Sequence, residues 1–110
     1  MSVTRAHLPN RRHGVAFEVE HEGHRFHVCL GAYEGGGVGE LFITPMGKAG
    51  KGSAIEALAR DVAIIVSIAI QFGVSMDLMR RAVMRDEAGR PSTLVGAVFD
   101  ACKDFDRRDK

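Results

Sequence analysis

This sequence has few cysteines and almost no net charge, and each of these features argues against certain classes of protein. Only two cysteines occur, Cys29 and Cys102, and they form no CxxC pair. This argues against a disulfide scaffold, a thioredoxin-like pair and a zinc knuckle, and it favours the reducing cytosol. The 15 lysines and arginines nearly balance the 14 acidic residues, leaving a net charge of +1. A protein whose main role is to coat nucleic acid or an anionic membrane is therefore not expected.

Long hydrophobic runs are also lacking. The longest apolar stretch, Val62 to Phe72, is too short to cross the roughly 30 Å of hydrocarbon in a bilayer. The segment Met1 to Asn10 has no apolar centre of the kind that a signal peptide carries. We therefore expect a cytoplasmic location and no membrane partner.

The length and composition predict one globular domain, because 110 residues with 45% hydrophobic content suit a single small core. No internal repeat or low-complexity segment interrupts it. We expect a flexible N-terminal arm over residues 1–12, a single domain over 13–105 and a charged tail over 106–110. The arm is polar and contains Pro9 and the pair Arg11-Arg12.

Alternating apolar residues on either side of Glu22-Gly23 predict a β-hairpin. If these two residues form the turn, His21 faces His24 and the register follows for both strands. Apolar pairs then share one face, and mainly polar or charged pairs share the other. The apolar face pairs Val19 with Phe26, Phe17 with Val28 and Val15 with Leu30; the other pairs Glu20 with Arg25, Glu18 with His27 and Ala16 with Cys29.

A third strand is predicted from Val38 to Thr44, after a glycine-rich turn and before Pro45. The three strands would form an antiparallel meander. The consecutive apolar residues Leu41, Phe42 and Ile43 place apolar groups on both faces of this strand. We therefore expect part of its second face to be covered, for which a partner chain is one candidate.

A helix is predicted to begin at Ser53, because Ser53-Ala54-Ile55-Glu56 is a capping box. It should end near Phe72, since Gly73 suits the position that follows a helix. Its second half is apolar on every side, which is typical of a buried helix. The sheet should cover one side, and later helices or a second subunit the rest.

Two shorter helices complete the predicted order βββααα. One begins after Ser75 and runs to about Arg85, and the other opens at Pro91 or Ser92. The expected fold class is α+β, with a three-stranded antiparallel meander followed by three helices and the long apolar helix packed on one sheet face. The residues expected to face inward are Leu78, Met79, Ala82 and Val83 in the second helix, and Leu94, Val95, Val98, Phe99 and Cys102 in the third.

Several linked motifs resemble the TSCPD domain family, which is similar to the C-terminal accessory region of adenosylcobalamin-dependent ribonucleotide reductases. The motifs combine glycine, a strand, Lys-Gly-Ser and a helix. They are Gly39-Glu40-Leu41-Phe42-Ile43, Lys51-Gly52-Ser53, Ala57-Leu58-Ala59-Arg60-Asp61 and Ser67-Ile68-Ala69-Ile70-Gln71-Phe72-Gly73-Val74, with weaker similarity over Arg11-Arg12-His13-Gly14, Leu30-Gly31-Ala32-Tyr33 and Gly89-Arg90-Pro91-Ser92 to Asp100.

The chain departs from the family pattern in two places. Its loop between Ile43 and Gly52 is longer, and the Thr-Ser-Cys-Pro-Asp string is replaced by Ser92-Thr93-Leu94-Val95-Gly96. The role of the family cysteine therefore cannot be transferred. The resemblance implies an accessory domain linked to deoxyribonucleotide metabolism rather than the radical-bearing catalytic barrel.

The loop before the first helix is the main candidate binding site. It brings together glycines, two lysines and a helix N-terminus, a combination that can hold a phosphate or another anion. It is not a Walker A motif, because the required order of Gly, Lys and Ser or Thr is absent. A glycine-rich turn with solvated lysines is the alternative. The candidate anion-binding or nucleotide-binding residues are Lys48, Lys51, Gly52 and Ser53, with Arg11 and Arg12 if the arm folds back.

No catalytic residue, metal site or cofactor is predicted. His21 and His24 share a face in the predicted register while His27 lies on the other, so a third metal ligand would have to come from another chain. A thiol-dependent oxidoreductase component using Cys29 or Cys102 is the least favoured alternative, because the spacing suits packing better than redox chemistry.

Two main functions remain open at this point. The first is a reductase-related accessory domain that binds a nucleotide, nucleic acid or other phosphate at the Gly/Lys loop. The second is a purely protein-interacting module that docks on itself or on a reductase catalytic subunit through Leu41 to Ile43 and Ile64 to Ile70. A homodimer is expected in either case.

Overall fold

The fold is described here from a computed structural model of the chain, for residues 4–8, 13–35, 37–47 and 53–103. Three strands are followed by three helices, which confirms the predicted α+β order. The strands are β1 (His13–His21), β2 (His24–Ala32) and β3 (Val38–Pro45); the helices are α1 (Ala54–Gln71), α2 (Met76–Ala82) and α3 (Leu94–Cys102).

The hairpin between β1 and β2 turns at Glu22 and Gly23, which both have positive φ angles of 50° and 81°. Two such residues define the turn type that matches the natural twist of paired strands. The pairing runs from His21 with His24 to His13 with Ala32, and every pair agrees with the predicted register. The ion pair of Arg25, however, is made with the diagonal neighbour Glu18 rather than with Glu20 directly opposite.

The sheet has the order β1-β2-β3, so β1 and β3 are its edges. One face of the sheet carries the core. Helix α1 lies along β3 and α3 lies against β1, while α2 packs on α3. The core residues of the sheet and helices are Val19, Phe26, Val28, Leu30, Val38, Leu41, Ile43, Ala59, Ala63, Val66, Ile70, Met76, Val98, Phe99 and Cys102.

Helix α1 begins and ends as its sequence predicts. The Ser53 hydroxyl accepts a hydrogen bond from the Glu56 backbone N–H at 3.1 Å. At the other end Gly73, at φ 99°, donates its N–H to the Ile70 carbonyl at 2.9 Å, and Val74 donates to Ala69 at 3.0 Å. These two bonds satisfy carbonyls that the end of the helix would otherwise leave unpaired.

Polar side chains of α1 take the place of a fourth strand at the edge of β3. The Ser67 hydroxyl accepts from the Leu41 N–H at 2.8 Å, and its own proton is shared between the Ala63 carbonyl at 2.8 Å and the Leu41 carbonyl at 3.1 Å. One turn later the Gln71 amide donates to the Gly39 carbonyl at 2.9 Å. Because Ala59 and Ala63 have small side chains, the helix can approach the strand closely.

Only α2 differs from its predicted inward stripe, in which Met79 and Val83 do pack against the core. In α2 the buried anchor is Met76, while Leu78 and Ala82 are exposed. The helix has only 7 residues, so it turns one short face to the core before Val83 becomes extended. In α3 the cap is Thr93, later than predicted, but its inward residues Val98, Phe99 and Cys102 are buried as expected.

A carboxylate of α3 is held by Arg85, which lies beyond α2. Arg85 donates to Asp100 through both terminal nitrogens, at 2.6 and 2.9 Å. These hydrogen bonds lower the pKa of the Asp100 carboxyl from its ordinary value, against a smaller opposing effect of burial. A depressed folded-state pKa adds stability that is present above the unfolded pKa of about 4 and is lost as the pH falls through the folded value.

We expect Asp100→Asn to lower the free energy of unfolding by about 1 kcal/mol at pH 7, a value discounted for the solvent that reaches this half-exposed pair. The deficit should start to shrink below about pH 4, where unfolded Asp100 takes up a proton, and disappear as the pH falls through the lowered pKa of folded Asp100. Urea unfolding of both proteins at pH 7 and at acid pH measures this. Asp61→Asn, at an exposed position of α1, is the control and should change little. A deficit that stays constant with pH would contradict the ionic origin.

Candidate functional site

Only one of the six predicted anion-binding residues lies within the described part of the chain. This is Ser53, whose hydroxyl caps α1. The other five residues, Lys48, Lys51, Gly52, Arg11 and Arg12, lie outside the described ranges. The site as a whole therefore stays a prediction, and what can be examined is the surface on which Ser53 lies.

A cavity of about 390 Å³ opens next to Ser53. Three parts of the fold form it: the start of β2, the end of β3 and the first turn of α1. Its lining residues are Gly23, His24, Arg25, Phe26, Pro45, Met46, Gly47, Ser53 and Ile55. Gly47 and Ser53 are the described residues on either side of the Gly/Lys loop, so both ends of that loop meet this cavity.

The described groups at this cavity favour an anion. Arg25 brings a guanidinium, whose pKa is raised mainly by its hydrogen bond to Glu18. The N-terminus of α1 adds the partial positive charge of its dipole. Ser53 satisfies the N–H of Glu56, while the N–H groups of Ala54 and Ile55 belong to the first turn and have no intrahelical acceptor.

A second cavity of about 290 Å³ adjoins the first and shares His24, Phe26 and Ile55 with it. It lies between the hairpin turn and the N-terminal ends of α1 and α3. Apolar side chains, among them Leu58 and Leu94, form much of its lining. Together the two cavities form adjoining spaces, one beside the loop and one between the hairpin turn and the N-terminal ends of α1 and α3.

The histidines of the hairpin do not form a metal site among the described residues. No group of three or more His, Cys, Asp or Glu side chains lies close enough there to hold a metal ion. His21 and His24 are paired, and His27 points to the opposite face of the sheet, as the register predicts. The His21 Nε2 atom is buried, and its 3.9 Å distance from Glu22 Oε1 is too long for a hydrogen bond.

The two cysteines lie on opposite sides of the sheet. Cys102 belongs to the core beneath it, together with Val28 of β2. Cys29 is the neighbour of Val28 in the same strand, so its side chain points to the other face. Neither thiol is part of a disulfide. Because the sheet separates them, they cannot act as a dithiol couple within one chain.

The outward side of α1 is unusually apolar. Val66 and Ile70 are buried against the sheet, but the large side chains on the opposite side are exposed, and Ile65 is 64% exposed. We call this the outer face of α1; its residues are Leu58, Ile64, Ile65, Ile68 and Phe72. Of the two predicted covers, later helices or a second subunit, the described helices leave this face exposed, because α2 packs on α3 and α3 mainly on β1.

The sequence did not indicate one contact, that of the N-terminal segment with the end of α1. The Ala6 N–H donates to the Gln71 carbonyl at 2.7 Å, and Arg5 donates to the Gln71 side chain. The Tyr33 hydroxyl donates to the Ala6 carbonyl. Isolated polar residues in a short segment carry no periodic signal, so only the structure reveals these bonds.

None of the described helices is both long and apolar enough to cross a membrane.

No protein-family model matches the chain, and no solved structure matches it. Three curated relatives do, and each is a vitamin B12-dependent ribonucleotide reductase. They come from Agrobacterium fabrum (35% identity over 77 residues, 70% of this chain), Bradyrhizobium diazoefficiens (36% over 73 residues, 66%) and Rhodopirellula baltica (33% over 75 residues, 68%).

The chain spans only 6 to 7% of the length of these relatives. The matched portion is nonetheless 66 to 70% of this chain, at identities of 33 to 36%. This agrees with the resemblance carried by the glycine, strand, Lys-Gly-Ser and helix motifs. The chain is therefore similar to an accessory segment of the vitamin B12-dependent ribonucleotide reductases.

Proposed function

We propose that this chain is a cytoplasmic accessory domain related to ribonucleotide reductases and that it binds a phosphate-bearing ligand, a nucleotide or nucleic acid, in the cavity beside Ser53. The observation that carries the proposal is that both described ends of the Gly/Lys loop, Gly47 and Ser53, line one cavity. Lys48 directly follows Gly47 in the sequence, and Lys51 stands two residues before Ser53. Lysines so close to the cavity in sequence suit an anionic ligand.

The physical chemistry of the cavity supports a phosphate. Phosphate oxygens accept hydrogen bonds from backbone N–H groups at a helix N-terminus and are attracted by its dipole. Arg25 adds a fixed positive charge on the opposite wall. The pair with Glu18 partly neutralises this charge, so the lysines would supply most of the attraction.

The second cavity favours a nucleotide over free phosphate. A nucleotide joins a charged phosphate to a flat base, and the second cavity gives space for a base directly beside the cavity at the loop. His24 and Phe26 lie where the two cavities meet, with ring centroids 6.5 Å apart. Binding rather than catalysis is the proposed role, since the sequence predicts no catalytic residue.

We expect a nucleotide at about ten times its Kd to raise the midpoint of thermal unfolding by about 5 °C, because binding to the folded state alone adds about 1.4 kcal/mol. Lys48→Ala combined with Lys51→Ala should abolish this shift. Lys103→Ala removes a lysine far from the loop in sequence and is the control. Thermal-shift assays with nucleotides, oligonucleotides and inorganic phosphate provide the measurement. Equal shifts in the double variant and the control would overturn the proposal.

Protein docking through the outer face of α1 is the second candidate function. The observation that favours it is the row of large apolar side chains that this face exposes. Such a patch on a small protein is typical of an interaction surface. A second copy of this chain is the proposed occupant, and a reductase catalytic subunit is the alternative that the experiment below distinguishes.

A further inference from the structure

We infer that two copies of this chain pair through their α1 helices in antiparallel orientation, with the two-fold axis passing beside Ile65. This inference rests on the docking function proposed above and specifies its partner and geometry. Ile65 lies near the middle of the exposed apolar row and is 64% exposed. A two-fold axis at that point places the same surface of each copy against the other.

The spacing of the exposed residues suits this arrangement. Leu58, Ile65 and Phe72 follow one another at intervals of seven residues, the spacing that keeps one stripe of a helix facing a neighbouring helix. An antiparallel pair centred on Ile65 places Leu58 of one copy opposite Phe72 of the other. Ile68 then lies opposite Val62, which is half-buried at the border of the stripe. At these positions apolar side chains thus meet apolar side chains.

Charge selects the antiparallel orientation. Asp61 is the one charged residue within the stripe, and it is exposed. In a parallel pair Asp61 would face its own copy, and like charges in contact destabilise an interface. In the antiparallel pair Asp61 lies opposite Ala69, and the two Asp61 residues are separated by about 12 Å along the helix axis. That distance exceeds the screening length of about 8 Å in physiological salt.

The exposed apolar area is sufficient for a small dimer. The five side chains of the outer face are between 39% and 64% exposed. Two such faces in contact would remove roughly 1,000 Å² from water, which is near the lower limit for specific interfaces. We therefore expect a reversible dimer that forms at micromolar concentration and dissociates on dilution.

Cysteine crosslinking tests the orientation. In a Cys29→Ala background, Ile65→Cys should give a disulfide-linked dimer on mild oxidation, because the two copies of residue 65 meet at the axis. Leu58→Cys is the matched control on the same face; its two copies would lie about 21 Å apart along the axis and should not crosslink. A mixture of Leu58→Cys and Phe72→Cys chains should crosslink to each other. Equal crosslinking of the Leu58→Cys and Ile65→Cys proteins would overturn the antiparallel pairing.

Light scattering tests the dimer itself. The wild type should have twice the monomer mass at about 100 µM, and Ile65→Arg should weaken the dimer roughly 100-fold, because it places two like charges together at the axis. Circular dichroism checks that this variant is folded, which is expected because Ile65 is exposed. A monomeric wild type would overturn the inference.

Co-expression with a reductase catalytic subunit distinguishes pairing of two copies from docking on another protein. If the wild type is monomeric but binds a co-expressed reductase subunit, and Ile65→Arg abolishes that binding, the second copy is wrong and docking survives. If Ile65→Arg alters neither the mass seen by light scattering nor the binding of the reductase subunit, both the pairing of two copies and the docking function are wrong. The phosphate proposal depends on neither result, since its readout is the thermal shift of the Lys48 and Lys51 variants.

Discussion

Replacement of Phe99 by alanine is expected to lower the free energy of unfolding by about 3 to 5 kcal/mol. Phe99 is only 2% exposed and is among the largest fully buried side chains of the domain. It lies in α3, the helix that covers β1, so its removal leaves a cavity between sheet and helix. A domain of this size has a total stability of about 5 to 15 kcal/mol, so this single change would remove a large part of it.

Phe42→Ala is the matched control, because it deletes the same atoms from a side chain that is 52% exposed. The Phe42 variant should lose less than about 1 kcal/mol, since surface changes away from special features are usually small. Urea unfolding followed by circular dichroism gives both values. Similar losses in the two variants would mean that Phe99 does not anchor the core as its burial indicates.

The candidate ligand site and the docking surface both depend on the position of α1. Its first turn, at Ser53, closes one wall of the cavity, and its outer face turns away from the sheet. The inner face is fixed by the core residues Ala59, Ala63 and Ile70. A ligand at the N-terminus of the helix and a partner on its outer face would therefore contact one rigid element at different places.

Local patterns explain why the hairpin and the limits of α1 were predictable from the sequence. A two-residue turn at Glu22-Gly23 determines the register of both strands, since a slip of one residue would reverse every side chain. Likewise Ser53 and Gly73 act through backbone groups within one turn of the helix. Such signals need no knowledge of the rest of the fold, and the structure confirms them.

What packs against the outer face of α1 could not be predicted from the sequence, because composition shows that a surface is apolar but not which element or partner covers it. The sequence treated Ile64, Ile65 and Ile68 as buried, whereas the chain buries only the opposite side of the helix. The contact of Ala6 with Gln71 was missed for a related reason, since single hydrogen bonds between distant segments leave no periodic pattern. The anion site at Lys48 and Lys51 stays a prediction.

Ser67→Ala is expected to lower the free energy of unfolding by about 2 to 3 kcal/mol, more than is usual for the loss of one hydroxyl. The reason is that the Ser67 hydroxyl accepts from the Leu41 N–H at the edge of β3, while its own proton is shared between the Ala63 carbonyl at 2.8 Å and the Leu41 carbonyl at 3.1 Å. Without it, the Leu41 N–H loses its acceptor, and the Leu41 carbonyl loses a share of a donor, in a position that α1 shields from water. A buried backbone group without a partner costs more than an average hydrogen bond contributes.

Ser67→Thr keeps the hydroxyl and serves as the matched variant, which should retain most of the stability. Urea unfolding measures the two losses. A second readout concerns the edge strand itself, because an edge whose backbone groups lack partners can pair with another chain. The alanine variant should therefore aggregate more readily than the threonine variant on partial unfolding. If both variants lose equal stability, packing of α1 rather than the bonds to Leu41 protects this edge. If the bonds are responsible, the Ser67 hydroxyl adds to the core contacts of α1 in holding the helix that carries both proposed surfaces against the sheet.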